Sequence, residues 1–312
     1  MLRVGHRPPP TYGVDAMQWI FYAVASQAVY AAVNHLDSHI VSHRVKGPAA
    51  LPLYTALVVL AIALIAFLAG GLPRPGLAGA YLVASGFILM MAYVFYFRAI
   101  AVGDAAFVSA MFQVNAVFTL VLSNVFLHER LSGARWIGFF LIVGAAVALA
   151  LERVEGRLRL GRAFGPILIA DLFWATATVI VKQAFMTRSL LPIVAYEGFG
   201  VALGGAAVAL SPTVRRAFRT SLRESGAGVI ALVCASEALG FLGKALFFLA
   251  VSLGPVAIVS ALGGVQPFFS IAWAWALARL LPRVFPPQRG GAHLAQRLLL
   301  CAVLLAGIWL CR

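Results

Sequence analysis

AIAVGDAAFVSAMFQVNAVF, residues 99–118, realigns without a gap on AVSLGPVAIVSALGGVQPFF, residues 250–269. Eight of the twenty positions are identical: Ala99/Ala250, Gly103/Gly254, Ala106/Ala257, Val108/Val259, Ser109/Ser260, Ala110/Ala261, Val114/Val265 and Phe118/Phe269. Both copies lie in long apolar segments, and each keeps a glycine before the helix that follows. Duplicated membrane halves are a pattern of carriers, because two similar halves can rock against each other around a central site.

Composition supports the membrane reading. The chain of 312 residues is 62% hydrophobic and 11% charged, against about 25% charged in a soluble domain. So few charges cannot cover a water-facing surface. The net charge of +14 does not point to nucleic acid, because most of the cations sit in short segments between apolar runs, where they set membrane orientation. Cys234, Cys301 and Cys311 fall in or beside apolar segments, and an odd count there builds no disulfide framework. The N-terminus MLRVGHRPPPTYG has no apolar core, so the run beginning near Ala16 is read as a retained membrane helix and not a cleavable signal. The Ala, Arg and Gly usage suits a bacterial inner membrane.

A helix needs roughly 20 largely apolar residues to cross the hydrocarbon. By that rule the chain has ten spans: 16–37, 50–70, 78–100, 104–127, 134–151, 164–185, 189–210, 227–252, 255–281 and 294–311. Turn and polar residues separate them, including Gly47-Pro48, Gly254-Pro255 and the segment Ser211 to Ser225. The repeat offset of 151 residues covers five spans. Five is odd, so the second half enters from the opposite side. The expected fold is an all-α integral membrane protein with ten transmembrane helices as two inverted five-helix repeats. Its parts are an N-terminal tail (1–15), a first repeat (16–152), a basic linker (153–163) and a second repeat (164–312). No loop is expected to fold on its own. The loops after odd-numbered spans hold fifteen Lys and Arg, against seven in the termini and other loops. The positive-inside rule then places both termini outside the cytoplasm.

The run FRAIAVGDAAFVSAMFQVNAVFTLVLSNVFLHERLSGARWIGFFLIVGAAVAL, residues 97–149, resembles the second part of an EamA repeat of the drug/metabolite transporter superfamily. The shared features are a Gly link between helices, a helix bearing polar residues, the Glu129-Arg130 loop and a Gly-rich helix. The family often has a proline in the polar helix; Ala116 stands there in the first copy, and the second supplies Pro267 beside Gln266. The second copy lacks the Glu-Arg loop and has only arginines as charges between Leu281 and Gly291. A lysine near the end of each repeat's first helix is matched by Lys182, with Ser38 at the corresponding place in the first half. The resemblance implies a ten-helix transporter, and it implies cytoplasmic termini, opposite to the arginine count.

An ionisable group inside a bilayer is expensive and by default marks a functional site. Asp171 and Lys182 are eleven residues apart, within roughly 20° on one helix face, with Trp174 and Thr178 near the same stripe. Glu197 lies mid-span; Glu237 and Lys244 share a face but stand about 10 Å apart along the axis. A cross-helix pair of Glu197 or Glu237 with Lys182 or Lys244 is therefore expected. In the first half, His35, His39 and His43 form one stripe and Asn34, Asp37 and Ser38 another; only one can face the bundle centre, and the resemblance favours Asn34 and Asp37. Gln113, Asn115 and Gln266 are amides in spans 4 and 9, and Asn115 and Gln266 are repeat mates. They either position a polar substrate or bind helices together. The stripes Gly200/Gly204 and Gly138/Ala145 are read as close helix packing, with a homodimer face as the alternative.

No nucleotide-binding loop G-x-x-x-x-G-K-[ST] and no H-E-x-x-H or G-x-S-x-G sequence is present. The expectation is a secondary transporter, without a cofactor, for a metabolite or amino-acid-like small molecule, exporting and proton-coupled. Glu237 is assigned the proton, Lys244 and Lys182 a carboxylate or the tuning of Glu237, and Asn115 and Gln266 polar substrate groups. The alternatives are a lipid-handling, flippase-like subunit and a divalent-metal transporter using His35, His39 and Asp37.

Overall fold

A backbone crossing hydrocarbon must satisfy its own N–H and C=O groups, so apolar runs of this length fold as helices. A computed structural model of the chain describes residues 15–43, 48–70, 76–102, 112, 114–129, 131–151, 163–185, 189–280, 299, 302–303 and 306–310. Among them no strand occurs. The helices are α1 (Asp15–His43), α2 (Leu51–Gly70), α3 (Leu77–Val102), α4 (Val114–Leu122), α5 (Gly133–Leu151), α6 (Phe164–Phe185), α7 (Leu190–Val208), α8 (Pro212–Glu224), α9 (Ala227–Leu253), α10 (Val256–Ala261) and α11 (Gln266–Leu280). Among the described residues six segments are long and apolar enough to cross a membrane: α2, α3, α6, α7, α9 and the run Val256–Leu280; Val114–Leu127 and Gly133–Ala145 are shorter apolar helices. The N-terminal tail, most of the basic linker and most of the tenth expected span lie outside the described residues.

Two cores organise the bundle. One joins Trp19 and Ala23 of α1 to Phe139 and Ile142 of α5 and to Val256–Val265. The other joins Leu82 of α3, Val181 of α6, Ile193 of α7 and Phe248 of α9. Helix α1 packs along α9 and also meets α11; α6 packs along α3 and also meets α4; α2 lies against α7. Glycines permit the closest crossing. A Cβ on Gly86 would fall 1.9 Å from the Glu197 carbonyl oxygen, and one on Gly200 would fall 2.0 Å from that of Val83. Helices α3 and α7 thus touch backbone to backbone. Gly204 packs on Met90, and Gly138 approaches Gly307, so both small-residue stripes are spent on packing within one chain.

Two expectations are corrected. The segment 211–225, read as a plain connection, forms helix α8, started by Ser211 and by Pro212 in the first turn, where a missing N–H is harmless. Its Ala217 and Phe218 pack beside Tyr54 in a third core, and the Tyr54 hydroxyl meets Ser221 Oγ at 3.0 Å. Arg215, Arg216, Arg219 and Arg223 share that short helix, an amphipathic distribution suited to a membrane surface. The second correction is span 9, expected as one helix. It is interrupted by a 3-10 segment, Leu262–Val265, between α10 and α11, at the pair Gly263-Gly264.

Candidate functional site

The bundle holds a half-open cavity of about 260 Å³ lined from both halves of the chain. Helix α1 contributes Gln27, Tyr30, Asn34 and Asp37; α3 contributes Tyr93 and Tyr96; α6 contributes Trp174 and Thr178. Glu197 comes from α7, Ser236, Glu237 and Lys244 from α9, Asn115 from α4, and Ser260, Gln266 and Ser270 from the interrupted ninth span. The expected site residues Asn34, Asp37, Asn115, Trp174, Glu197, Glu237, Lys244 and Gln266 therefore meet there as separate spans converge, with Thr178 on the Trp174 stripe.

Its charges are unevenly matched. Lys244 Nζ lies 2.6 Å from Glu197 Oε2, and both side chains are largely buried. This is one of the four cross-helix pairs left open by the sequence. Lys244 also sits 5.1 Å from the Phe248 ring centre. Glu237 Oε1 accepts a hydrogen bond from Thr55 Oγ1 at 2.7 Å. Asp37 Oδ1 accepts one from Ser236 Oγ at 2.7 Å. Ser236 precedes Glu237, so the two carboxylates stand at one level on neighbouring helices. Neither has a cationic partner among the described residues. Asn115 Nδ2 donates to the Asp171 carbonyl at 2.9 Å, fixing α4 on α6 while the amide borders the cavity.

Other expected residues stand elsewhere. Lys182, expected to serve substrate or Glu237, does not line the cavity. Its ammonium donates to the Val251 and Gly254 carbonyls at 2.7 and 2.8 Å, capping the end of α9. It also lies 3.7 Å from Glu129 Oε1. Glu129 Oε2 accepts the Val256 N–H at 3.0 Å, capping the start of α10. The pair therefore clamps the Gly254-Pro255 link. Burial pushes the Glu129 carboxyl above the ordinary glutamate range, opposed by Lys182 and the Val256 amide. Asp171 is fully buried beside the cavity wall, and neither carboxylate oxygen has a hydrogen-bond partner among the described residues. His35 turns from Asp37 and places Nε2 2.9 Å from the Ser270 carbonyl oxygen and 3.1 Å from its hydroxyl. Among the described residues no three His, Cys, Asp or Glu side chains are grouped to hold a metal. Gln113 and the Pro267 side chain lie outside the described residues.

Of the aromatic wall, sequence reasoning singled out Trp174 but not the rings around it. Trp174 is the hub of a cluster with Tyr93, Phe112 and Tyr96, at ring-centre distances of 5.2, 5.2 and 5.7 Å. Nor did it single out Thr55, Ser236 or Ser260. The Ser236 hydroxyl had one available signal: Ser236 is the repeat mate of Ser85 at the 151-residue offset.

Long apolar helices around a half-open cavity that carries ionisable groups define an integral membrane protein. Residues 17–151, somewhat under half of the chain, match the EamA-like transporter family, and over that stretch the molecule is similar to membrane transporters. The chain is 27% identical over 140 residues to a protein from Sinorhizobium sp. described as "Uncharacterized transporter in cobO 3'region", a match over 44% of this chain and 99% of that protein. A solved structure described as "Crystal structure of protein" is 18% identical, covers 95% of this chain and 96% of its own, and superposes with a TM-score of 0.65. It shares the fold.

Proposed function

We propose that the chain is a secondary active transporter of ten spans, built as two inverted five-helix repeats, which moves a small organic metabolite by alternating access. The observation that carries this reading is the mid-bundle cavity, to which both halves contribute facing ionisable groups: Asp37 from the first, Glu237 and Lys244 from the second. Such sites at a repeat interface are what rocking halves expose alternately.

The packing supports the inverted repeat. Under the repeat correspondence span 1 exchanges with span 6, 3 with 8 and 4 with 9. The pair α1–α9 then becomes α6–α3, and α1–α11 becomes α6–α4, and all four contacts occur. The repeat mates Ser236 and Ser85 each bond the first helix of the other half, at Asp37 Oδ1 and at the Ala177 carbonyl (3.1 Å). Helix α4 begins at Val114, whose mate Val265 ends the 3-10 break. The Sinorhizobium relative, matched over 99% of its own length by 140 residues, is one repeat long.

In this mechanism Glu237 takes up and releases the coupling proton, Asn115 and Gln266 position polar substrate groups, and Glu197 holds Lys244. Lys182 acts outside the site, at the link between spans 8 and 9. The test is to express the wild type and Glu237→Gln at equal membrane levels in a bacterium and compare the media by mass spectrometry. A small solute enriched outside the wild-type cells and absent from the variant's medium is expected. Identical media would contradict the carrier assignment.

A further inference from the structure

The charge balance of the cavity selects a substrate class. Three carboxylates line it, Asp37, Glu197 and Glu237, against one ammonium, Lys244. Lys244 is committed to Glu197 at 2.6 Å, and it stands two helical turns, about 10 Å, along α9 from Glu237. Asp37 and Glu237 receive hydroxyl donors from Ser236 and Thr55. A hydroxyl satisfies a lone pair but does not neutralise a charge, and an uncompensated carboxylate is costly even when, like Asp37 and Glu237, it is only partly withdrawn from water. A cation entering between the two removes that cost. A guest bearing its own carboxylate adds a third unmatched negative charge, with no uncommitted cation on the cavity wall among the described residues.

Two independent features point to a ligand in the same space. The Ser260 hydroxyl lines the cavity, is shielded from solvent and has no hydrogen-bond partner among the described residues. In the same cavity the Trp174, Tyr96, Phe112 and Tyr93 rings form a continuous aromatic wall, with Tyr96 and Phe112 5.3 Å apart. Such faces attract both flat apolar bodies and ammonium groups. A volume of about 260 Å³ lies below the roughly 300 Å³ at which drug-sized pockets begin, so the guest is small.

We propose that the cavity binds a small organic amine in its cationic form, with the ammonium group between Asp37 and Glu237 and an aromatic or similarly flat body against the Trp174 wall. This rests on the transporter reading of the same cavity and narrows it from metabolites in general to amines, setting amino acids aside.

The test measures binding of four matched probes to the purified full chain in detergent by calorimetry: phenethylamine, 2-phenylethanol, phenylacetate and phenylalanine. Phenethylamine is expected to bind at least tenfold tighter than each of the others. Asp37→Asn and Glu237→Gln are each expected to weaken it at least tenfold, and Glu237→Asp to weaken it less. Ligand-free melting of each variant checks folding, and the probe series on the wild type stands whatever the variants do. Equal or tighter binding of any other probe overturns the proposal. So does undiminished phenethylamine binding in folded Asp37→Asn and Glu237→Gln, or no binding by all four. Transport of phenylacetate or phenylalanine into reconstituted vesicles, with no amine binding, would leave the carrier and end the amine assignment. Amine binding lost in the two carboxylate variants, with no movement across vesicles, would do the reverse.

Discussion

Replacing Gly86 with alanine strikes the closest backbone contact in the bundle. The new Cβ would lie 1.9 Å from the Glu197 carbonyl oxygen, 2.7 Å from the Val201 nitrogen and 2.8 Å from the Glu197 carbonyl carbon. A tolerated carbon–oxygen contact is about 3.3 Å, so α3 and α7 must separate by roughly 1.4 Å at their crossing. All three atoms are backbone, and no rotamer change relieves them. Overpacking that moves a side chain costs about 1–3 kcal/mol; moving a helix should reach about 3 kcal/mol or more on the same scale. At Gly144, inside α5, an added methyl would have nothing within 4 Å, and alanine there should gain up to about 1 kcal/mol of helix propensity. The assay is reversible unfolding of purified protein by SDS titration in mixed micelles, with wild type, Gly86→Ala, Gly200→Ala and Gly144→Ala side by side. Gly200→Ala should behave as Gly86→Ala does, since its methyl meets the Val83 carbonyl oxygen from the other side of the crossing, at 2.0 Å. The displacement also moves Glu197, so Lys244 loses its partner's position and the cavity changes shape. A Gly86→Ala protein as stable as wild type would refute the reasoning that α3 and α7 meet backbone to backbone.

Further outcomes follow from the charged contacts. Glu197→Gln leaves Lys244 buried without its counter-ion and should cost about 3–5 kcal/mol, most of it recovered when Lys244→Met is added; additive single effects in the same unfolding assay would argue that the two do not pair. Glu129→Ala removes the cap on the Val256 N–H and should cost about 1–2 kcal/mol; an unchanged unfolding midpoint would show that the clamp on the Gly254-Pro255 link contributes nothing. Gly226→Cys sits in open space at the end of the connection carrying α8, and the arginine count expects a membrane-impermeant thiol reagent to reach it from the cytoplasmic side. Labelling from outside would reverse the orientation and agree with the cytoplasmic termini that the family resemblance implies.

Much of the architecture is legible in the chain because bilayer physics leaves few choices: apolar runs of about 20 residues become helices, and most described helices lie where those runs predict. A cross-helix ion pair is legible too, since Glu237 and Lys244 share a face yet stand too far apart to meet; that it joins Glu197 to Lys244, among four combinations, is not. Spacing reports the face of a helix, however, and not which neighbour stands at that depth. That is why Lys182, on the stripe of Trp174 and Thr178, is expected in the site while its ammonium instead reaches the end of α9. Helix α8 escapes a search for apolar spans, which passes over thirteen residues with four arginines; Ser211-Pro212 and the Ala217, Phe218 and Leu222 stripe carry its local signal. The break in span 9 is written as Gly263-Gly264, a turn signal outvoted by the hydropathy around it. Apart from Trp174, marked by the stripe it shares with Asp171 and Lys182, the aromatic wall has no distinguishing mark, because Tyr93, Tyr96 and Phe112 in apolar segments look the same whether they fill a core or border a cavity.

Under alternating access one cavity faces each side of the membrane in turn, and thiol accessibility tests this without knowledge of the substrate. Gly263 and Gly240 both line the cavity, and a Cβ on either meets nothing nearer than Gln27 Oε1 at 4.0 Å or Val33 Cγ1 at 3.9 Å. Each is replaced by cysteine after Cys234, Cys301 and Cys311 are removed, and right-side-out and inverted vesicles are treated with a membrane-impermeant maleimide. Alternating access predicts labelling of the same cysteine from both faces, slowed by a bound amine. Labelling from one face only, at both positions and under every condition, would contradict it.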